Sequence, residues 1–242
     1  MNLDFSNLAY LGNLAREEYL YIGIFISLGS VISSFLISLY TLKDKAFLSF
    51  IKNTFLSLQF LYSFLFCIFS FLFCTWLYGY ESYMWFMAIV LLGLFVLSYI
   101  DCVCLAIPDW LNFALLFFIF GSLYYFSVLS FDHFISAFGV CGAFALLRIF
   151  GEFIFKKEIM GEADIVVLAS MGALLSIIPS IYLALVASFL AILYIVLLSV
   201  IHIKGKQIAL SQIKLPFVCF LSLAFVIILF YLQYPLWGEL SV

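Results

Sequence analysis

Long apolar runs separated by short clusters of charge make up nearly the whole chain. Crossing a hydrocarbon core of about 30 Å takes roughly 20 mostly apolar residues. Eight such runs can be read: Tyr19 to Leu42, Phe55 to Tyr78, Ser82 to Ile100, Trp110 to Ser130, Phe134 to Phe150, Ile165 to Ile178, Ser180 to His202 and Pro216 to Tyr234. The sixth is short, and its border with the seventh rests on Ser176-Ile-Ile-Pro-Ser180. Pro179 has no N–H to donate and a ring that clashes with the preceding turn, so a tight turn is predicted there. No polar loop is long enough for an extramembrane domain. The expected fold is all-α: a polytopic membrane bundle of about eight transmembrane helices, forming one integral membrane domain over residues 1–242.

Composition agrees with the pattern. The chain is 68% apolar and 10% charged, against about half and about a quarter in a soluble globule. This excludes a soluble enzyme, and no basic surface for nucleic acid is expected. Residues Met1 to Glu18 lack a basic segment leading into a short apolar stretch, so no cleavable signal is expected and the first span is retained.

Lysine and arginine set orientation through their excess on the cytoplasmic side. Lys43, Lys45, Lys52, Arg148, Lys156, Lys157, Lys204, Lys206 and Lys214 fall on the odd-numbered loops and only Arg16 on the other side. With eight spans, both termini are therefore non-cytoplasmic. Tyr19, Tyr21, Trp76, Tyr78, Trp110, Tyr231, Tyr234 and Trp237 lie near span ends, as interfacial anchors do.

Two acidic stretches need a separate reason: Asp101-Cys-Val-Cys-Leu-Ala-Ile-Pro-Asp109 and Met160-Gly-Glu-Ala-Asp164. An acidic side chain at the edge of a span is a functional-site hypothesis by default. The loop alternation puts both stretches on the cytoplasmic face. Asp101 comes at the end of the third span, where unpaired carbonyls disfavour a carboxylate, and Asp164 starts the sixth, where free N–H groups favour one. Taken alone, Asp164 also has a simpler reading as a helix cap. Asp109, after Pro108, reads as the cap of the fourth span. Glu158 and Glu162 read as solvated loop charge. Arg148 either reaches the interface or neutralises a nearby aspartate.

Two carboxylates a few ångströms apart cannot both ionise comfortably, so one keeps a proton. Such a pair suits peptide hydrolysis, the anion taking a proton from water and the neutral acid donating to the scissile carbonyl. Cys102 and Cys104 lie within the first stretch, but two thiols two residues apart make a poor zinc site. No metal and no cofactor is expected.

These residues resemble the signatures of the type IV prepilin peptidases, polytopic aspartic proteases of the G-x-G-D type. Asp101 is followed by Ile107-Pro108-Asp109, and Met160-Gly161-x-x-Asp164 opens a later helix. Leu28-Gly29-Ser30-Val31 in the first span and Leu215-Pro216-Phe217 before the last are similar to two further family segments. The resemblance implies that Asp101 and Asp164 are the catalytic pair, that Gly161 shapes the turn before Asp164, and that Pro108 and Asp109 close the first motif. It implies an enzyme of the inner (cytoplasmic) membrane that trims the basic leader of prepilins or pseudopilins on the cytoplasmic side.

Two departures stand out. The second motif glycine is Ala163, whose Cβ disfavours positive φ and would restrict the loop. The connection from Lys43 to Thr54 carries no cysteine, unlike the tetracysteine insertion of many bacterial relatives. This argues against N-methyltransferase activity and against any need for zinc or S-adenosylmethionine. Two other readings remain open at this point: a proton-coupled transporter or channel, and a catalytically inactive assembly subunit of the same fold.

Overall fold

A computed structural model describes residues 16–41, 54, 57–156, 160–202 and 215–233. Among them are eight α-helices: α1 Arg16–Thr41, α2 Leu58–Tyr78, α3 Ser82–Cys104, α4 Asp109–Tyr125, α5 Phe131–Phe155, α6 Glu162–Leu175, α7 Ile177–His202 and α8 Phe217–Gln233. Each corresponds to one predicted run. Five are long and apolar enough to cross a membrane: α1, α2, α3, α5 over Phe131–Ile154 and α7 over Ile177–Leu198. The helices α4 and α8 have 17 residues each and α6 has 14. Of the predicted features, Leu42, Phe55, Glu158, Tyr234, Trp237 and seven of the lysines (43, 45, 52, 157, 204, 206, 214) lie outside the described residues.

Helix ends differ from the apolar runs for local reasons. A hydrophobic run stops at its first polar residue, but the backbone goes on, so α1 starts at Arg16 and α3 continues through Asp101 to Cys104. Helix α4 stops at Tyr125 because Ser127 turns left-handed at φ 57°, and the N–H groups of Val128 and Leu129 both return to the carbonyl of Leu123. The expected turn at Pro179 sits elsewhere. The break is at Ser176, with φ 69°, and Pro179 is the third residue of α7. In the first turn of a helix its missing N–H has no intrahelical partner to lose.

The chain divides into two compact units, Met1–Cys104 and Leu105–Val242. In the first, α1, α2 and α3 each pack against the other two. Helix α1 reverses the usual polarity of a buried face. Ser30, Ser33, Ser34 and Ser38 are buried, whereas Leu28, Ile32, Phe35 and Leu39 are exposed. Small residues let helix backbones approach closely where lipid tails are as apolar as any side chain. Gly29 lies where α1 comes nearest its neighbours: a Cβ there would stand 3.1 Å from Cys67 Sγ and 3.2 Å from a Leu92 methyl. Ser30 Oγ donates to the Ser27 carbonyl (2.9 Å), Ser34 Oγ to the Thr54 carbonyl (2.8 Å) and Ser38 Oγ to Gln59 Oε1 (3.1 Å), and Gln59 Nε2 donates to Thr41 Oγ1 (3.2 Å).

In the second unit α6 is the central element, packed against α4, α5, α7 and α8. Its sequence has almost no polar face, and Ile165, Val167 to Ala173 and Leu175 are all buried. Its length, about 21 Å at 1.5 Å per residue, is well short of a hydrocarbon core. It is the surrounding helices that show large apolar side chains outward, such as Phe138, Leu147 and Phe150 on α5 and Leu185, Phe189 and Ile192 on α7. Helices α5 and α6 approach tightly at Gly172, where a Cβ would meet the Ser136 carbonyl at 3.1 Å and Val140 Cγ2 at 3.1 Å.

A rigid backbone oxygen cannot yield as a side-chain tip can. Gly172→Val should therefore lower the thermal unfolding midpoint of the detergent-solubilised protein, at a cost of about 1–3 kcal/mol. Gly142→Ala on α5, with nothing within 4 Å, should raise it by about 0.5–1 kcal/mol of helix preference. Equal midpoints for the two variants would contradict this packing.

Candidate active site

Asp101 occupies the last turn of α3, not its end as the apolar run implied. It is 7% exposed, between Ile100, which is fully buried, and Cys102, Val103 and Cys104, which are exposed. The same turn is tied to α1 by Cys104 Sγ, 3.5 Å from the Tyr40 carbonyl. The helix stops where Leu105 enters the left-handed region at φ 53°. The carboxyl here is largely withdrawn from water.

The remaining motif residues belong to the second unit. Pro108, with φ −67° and ψ 126°, is the cap of α4, and Asp109 is its first helical residue, so the helix starts one residue earlier than expected and Asp109 is not the cap. Proline's fixed φ presets this start, and the Pro108 carbonyl accepts from the N–H groups of Leu111 and Asn112. Asp109 is exposed and lies at the positive end of its helix.

The second motif forms the first turn of α6. Gly161 is the cap, and Asp164 is the third helical residue rather than the cap itself. From there Asp164 reaches back, its Oδ2 accepting from the Gly161 N–H at 3.1 Å. This is the returning half of a capping box, with the carboxylate satisfying one of the N–H groups a helix start leaves unpaired. Gly161 itself has an ordinary φ of −70°. Its lack of a side chain matters for space: a Cβ would stand 3.1 Å from Asp164 Oδ2.

Ala163 is the second residue of α6 and is not among the described residues with positive φ, which are Leu105, Ser127, Lys156, Ser176 and Gly79. The expected restriction by its Cβ therefore does not arise. Alanine is the best helix former, about 1 kcal/mol better than glycine in a helix interior.

Neighbouring helices hold the same turn from two sides. Arg148 on α5 pairs with Glu162 at 2.8 Å, a glutamate expected only to be solvated loop charge. The Glu162 side chain is 81% exposed, so the pair orients more than it stabilises, contributing about 0–1 kcal/mol. Asn112 on α4, 1% exposed, donates through Nδ2 to the Ala163 carbonyl at 2.8 Å. Sequence reasoning missed Asn112, whose one signal was an amide inside an apolar run three residues after Asp109. The second unit thus brings Pro108, Asp109, Gly161 and Asp164 to the linked starts of α4 and α6, while Asp101 lies in the first unit. Among the described residues no cluster of histidine, cysteine or acidic side chains could hold a metal ion.

Residues 88–196 match the family model described as the type IV leader peptidase family. The matched segment, just under half of the 242 residues, runs from within α3 into α7 and includes both aspartates and both acidic motifs. It supports the family resemblance carried by those motifs. Neither the curated proteins nor the solved structures contain a match.

The steric role of Gly161 can be checked by amide hydrogen exchange. Gly161→Ala should displace the Asp164 carboxylate, weaken the cap by about 1 kcal/mol and speed exchange across the first turn of α6. Ala163→Gly should leave the cap bond in place and cost only helix preference. Faster exchange in the second variant than in the first would refute the assignment.

Proposed function

We propose that the chain is a membrane aspartic endopeptidase that cuts the basic leader from type IV prepilins or pseudopilins. The observation that carries this reading is the family match, because the matched residues include both acidic motifs. Asp101 and Asp164 form the catalytic pair, with Pro108, Asp109 and Gly161 as supporting motif residues.

The chemistry follows from two carboxyls sharing one proton. Asp164, at a helix start, is the anion and takes a proton from water as the water oxygen bonds to the scissile carbonyl carbon. Asp101, at a helix end, is the neutral acid and protonates the carbonyl oxygen. The tetrahedral intermediate then breaks its C–N bond: Asp164 gives the departing amine the proton it took from water, and a hydroxyl of the gem-diol returns a proton to Asp101, which leaves a carboxylic acid and restores the pair. Because the two titrations are coupled, only apparent values for the pair would be measurable.

Cleavage takes place on the cytoplasmic side, where the lysine-rich loops lie, and the apolar segment of the substrate packs laterally against the helices within the lipid bilayer. The enzyme resides in the inner membrane and works without metal or cofactor. The inactive-subunit reading drew its support from Ala163, and the helical placement of that residue removes it.

Purified protein in detergent, incubated with a prepilin, should cut it once at the leader junction. Asp101→Asn and Asp164→Asn should each lower the rate on the order of 10³-fold or more with folding and insertion unchanged. Normal trimming by either variant would overturn the pair, and ion flux in liposomes without cleavage would favour the transporter. For orientation, single cysteines at Lys45 or Lys206 in an otherwise thiol-free chain should react with an impermeant maleimide only after cells are opened. Labelling in intact cells would reverse the topology.

A further inference from the structure

We infer that Asn112 is a positioning residue for Asp164, acting through the peptide group that precedes the carboxylate. The inference rests on the reading of Asp164 as one of the catalytic acids. Nδ2 of Asn112 donates to the Ala163 carbonyl at 2.8 Å, and the next backbone atoms along the chain are those of Asp164. That bond joins α4 to α6 across 51 positions of sequence. With Gly161 donating to Asp164 Oδ2 from one side and Arg148 pairing with Glu162 from another, Asn112 completes a three-point hold on four consecutive residues.

The cost of this arrangement argues against a purely stabilising role. Asn112 is 1% exposed within a mostly apolar helix, and its Oδ1 is buried with no hydrogen-bond partner among the described residues. A half-satisfied amide in an apolar interface is a poorer filler than leucine of similar size. In a helix the Ala163 carbonyl is already the acceptor for the N–H four residues on. The second donor therefore does not rescue an orphan group. What it adds is register: it fixes how far along and how far round α6 sits against α4, and so where the carboxylate three residues into α6 points. Misplacing a reacting group by about 1 Å can cost about 10²-fold in rate, and removing an outer partner of a reactive group typically costs 10–100-fold.

The test compares Asn112→Leu and Asn112→His with the wild-type protein, using prepilin cleavage, thermal unfolding and amide hydrogen exchange. In Asn112→Leu, kcat should fall about 10–100-fold, KM should stay within about 2-fold, and the unfolding midpoint should be unchanged or higher. Exchange across residues 161–166 should be faster. Asn112→His can place its Nδ1–H where Nδ2–H stands and should recover part of kcat. Wild-type kcat with unchanged exchange in Asn112→Leu would overturn the inference. So would a loss of activity that tracks a lower midpoint and is not relieved by histidine, which marks a structural role. If the wild-type protein does not cleave, or Asp164→Asn cleaves normally, the functional reading fails. The exchange measurement then still decides whether Asn112 holds the turn.

Discussion

A helix start leaves four N–H groups without intrahelical partners, and in a mostly apolar protein each must be answered locally. The first turn of α6 meets this constraint with the side chain to which the proposed function also gives a catalytic part. Asp164 caps the Gly161 N–H from within its own helix, so the geometry that stabilises α6 is the geometry that aims the carboxylate. A capping acid is stabilised as an anion by the same N–H groups and dipole that it completes. This explains how one residue can carry both structural duty and proposed reactivity without added machinery.

The two units reach compactness by different means. The first relies on a serine-rich face of α1 that admits its neighbours closely, on hydroxyl and amide bonds between α1 and α2 and on the bond from Ser34 to the Thr54 carbonyl. Aromatic packing adds to this through Phe25, Phe71 and Trp85, with Phe25 and Trp85 edge to face at 5.4 Å. The second surrounds a short helix with four others. A 14-residue helix with buried residues on nearly every side needs no polar stripe of its own, because α4, α5, α7 and α8 present the apolar exterior. Its N-terminal turn is then the natural place for polar contacts, and Arg148, Glu162, Asn112 and Asp164 converge there.

How much of this could be read in advance depended on the range of the interaction concerned. Eight helices followed from run lengths, since apolar length is a property of contiguous residues. The start of α6 was marked locally by Met160-Gly161 and an acid, although Asp164 proved to be the third helical residue. Pro179 misled because proline breaks a helix interior but is welcome in a first turn, and the true break at Ser176 carries no compositional mark. The bond from Asn112 to Ala163 was invisible and the partner of Arg148 could not be named, because neither partner's identity implies the other at a distance in sequence. A single asparagine in an apolar run says only that something must satisfy it.

The contrast between Gly161 and Ala163 bears on how such chains are recognised. One position keeps volume clear for an oxygen atom, and any β-carbon there encroaches on it. The other is ordinary helix, where a methyl group is welcome. A search pattern that demands glycine at both places treats two unlike requirements as one. It would pass over proteins whose backbone at this turn is undisturbed, whereas a pattern strict at the first place and lenient at the second follows the sterics.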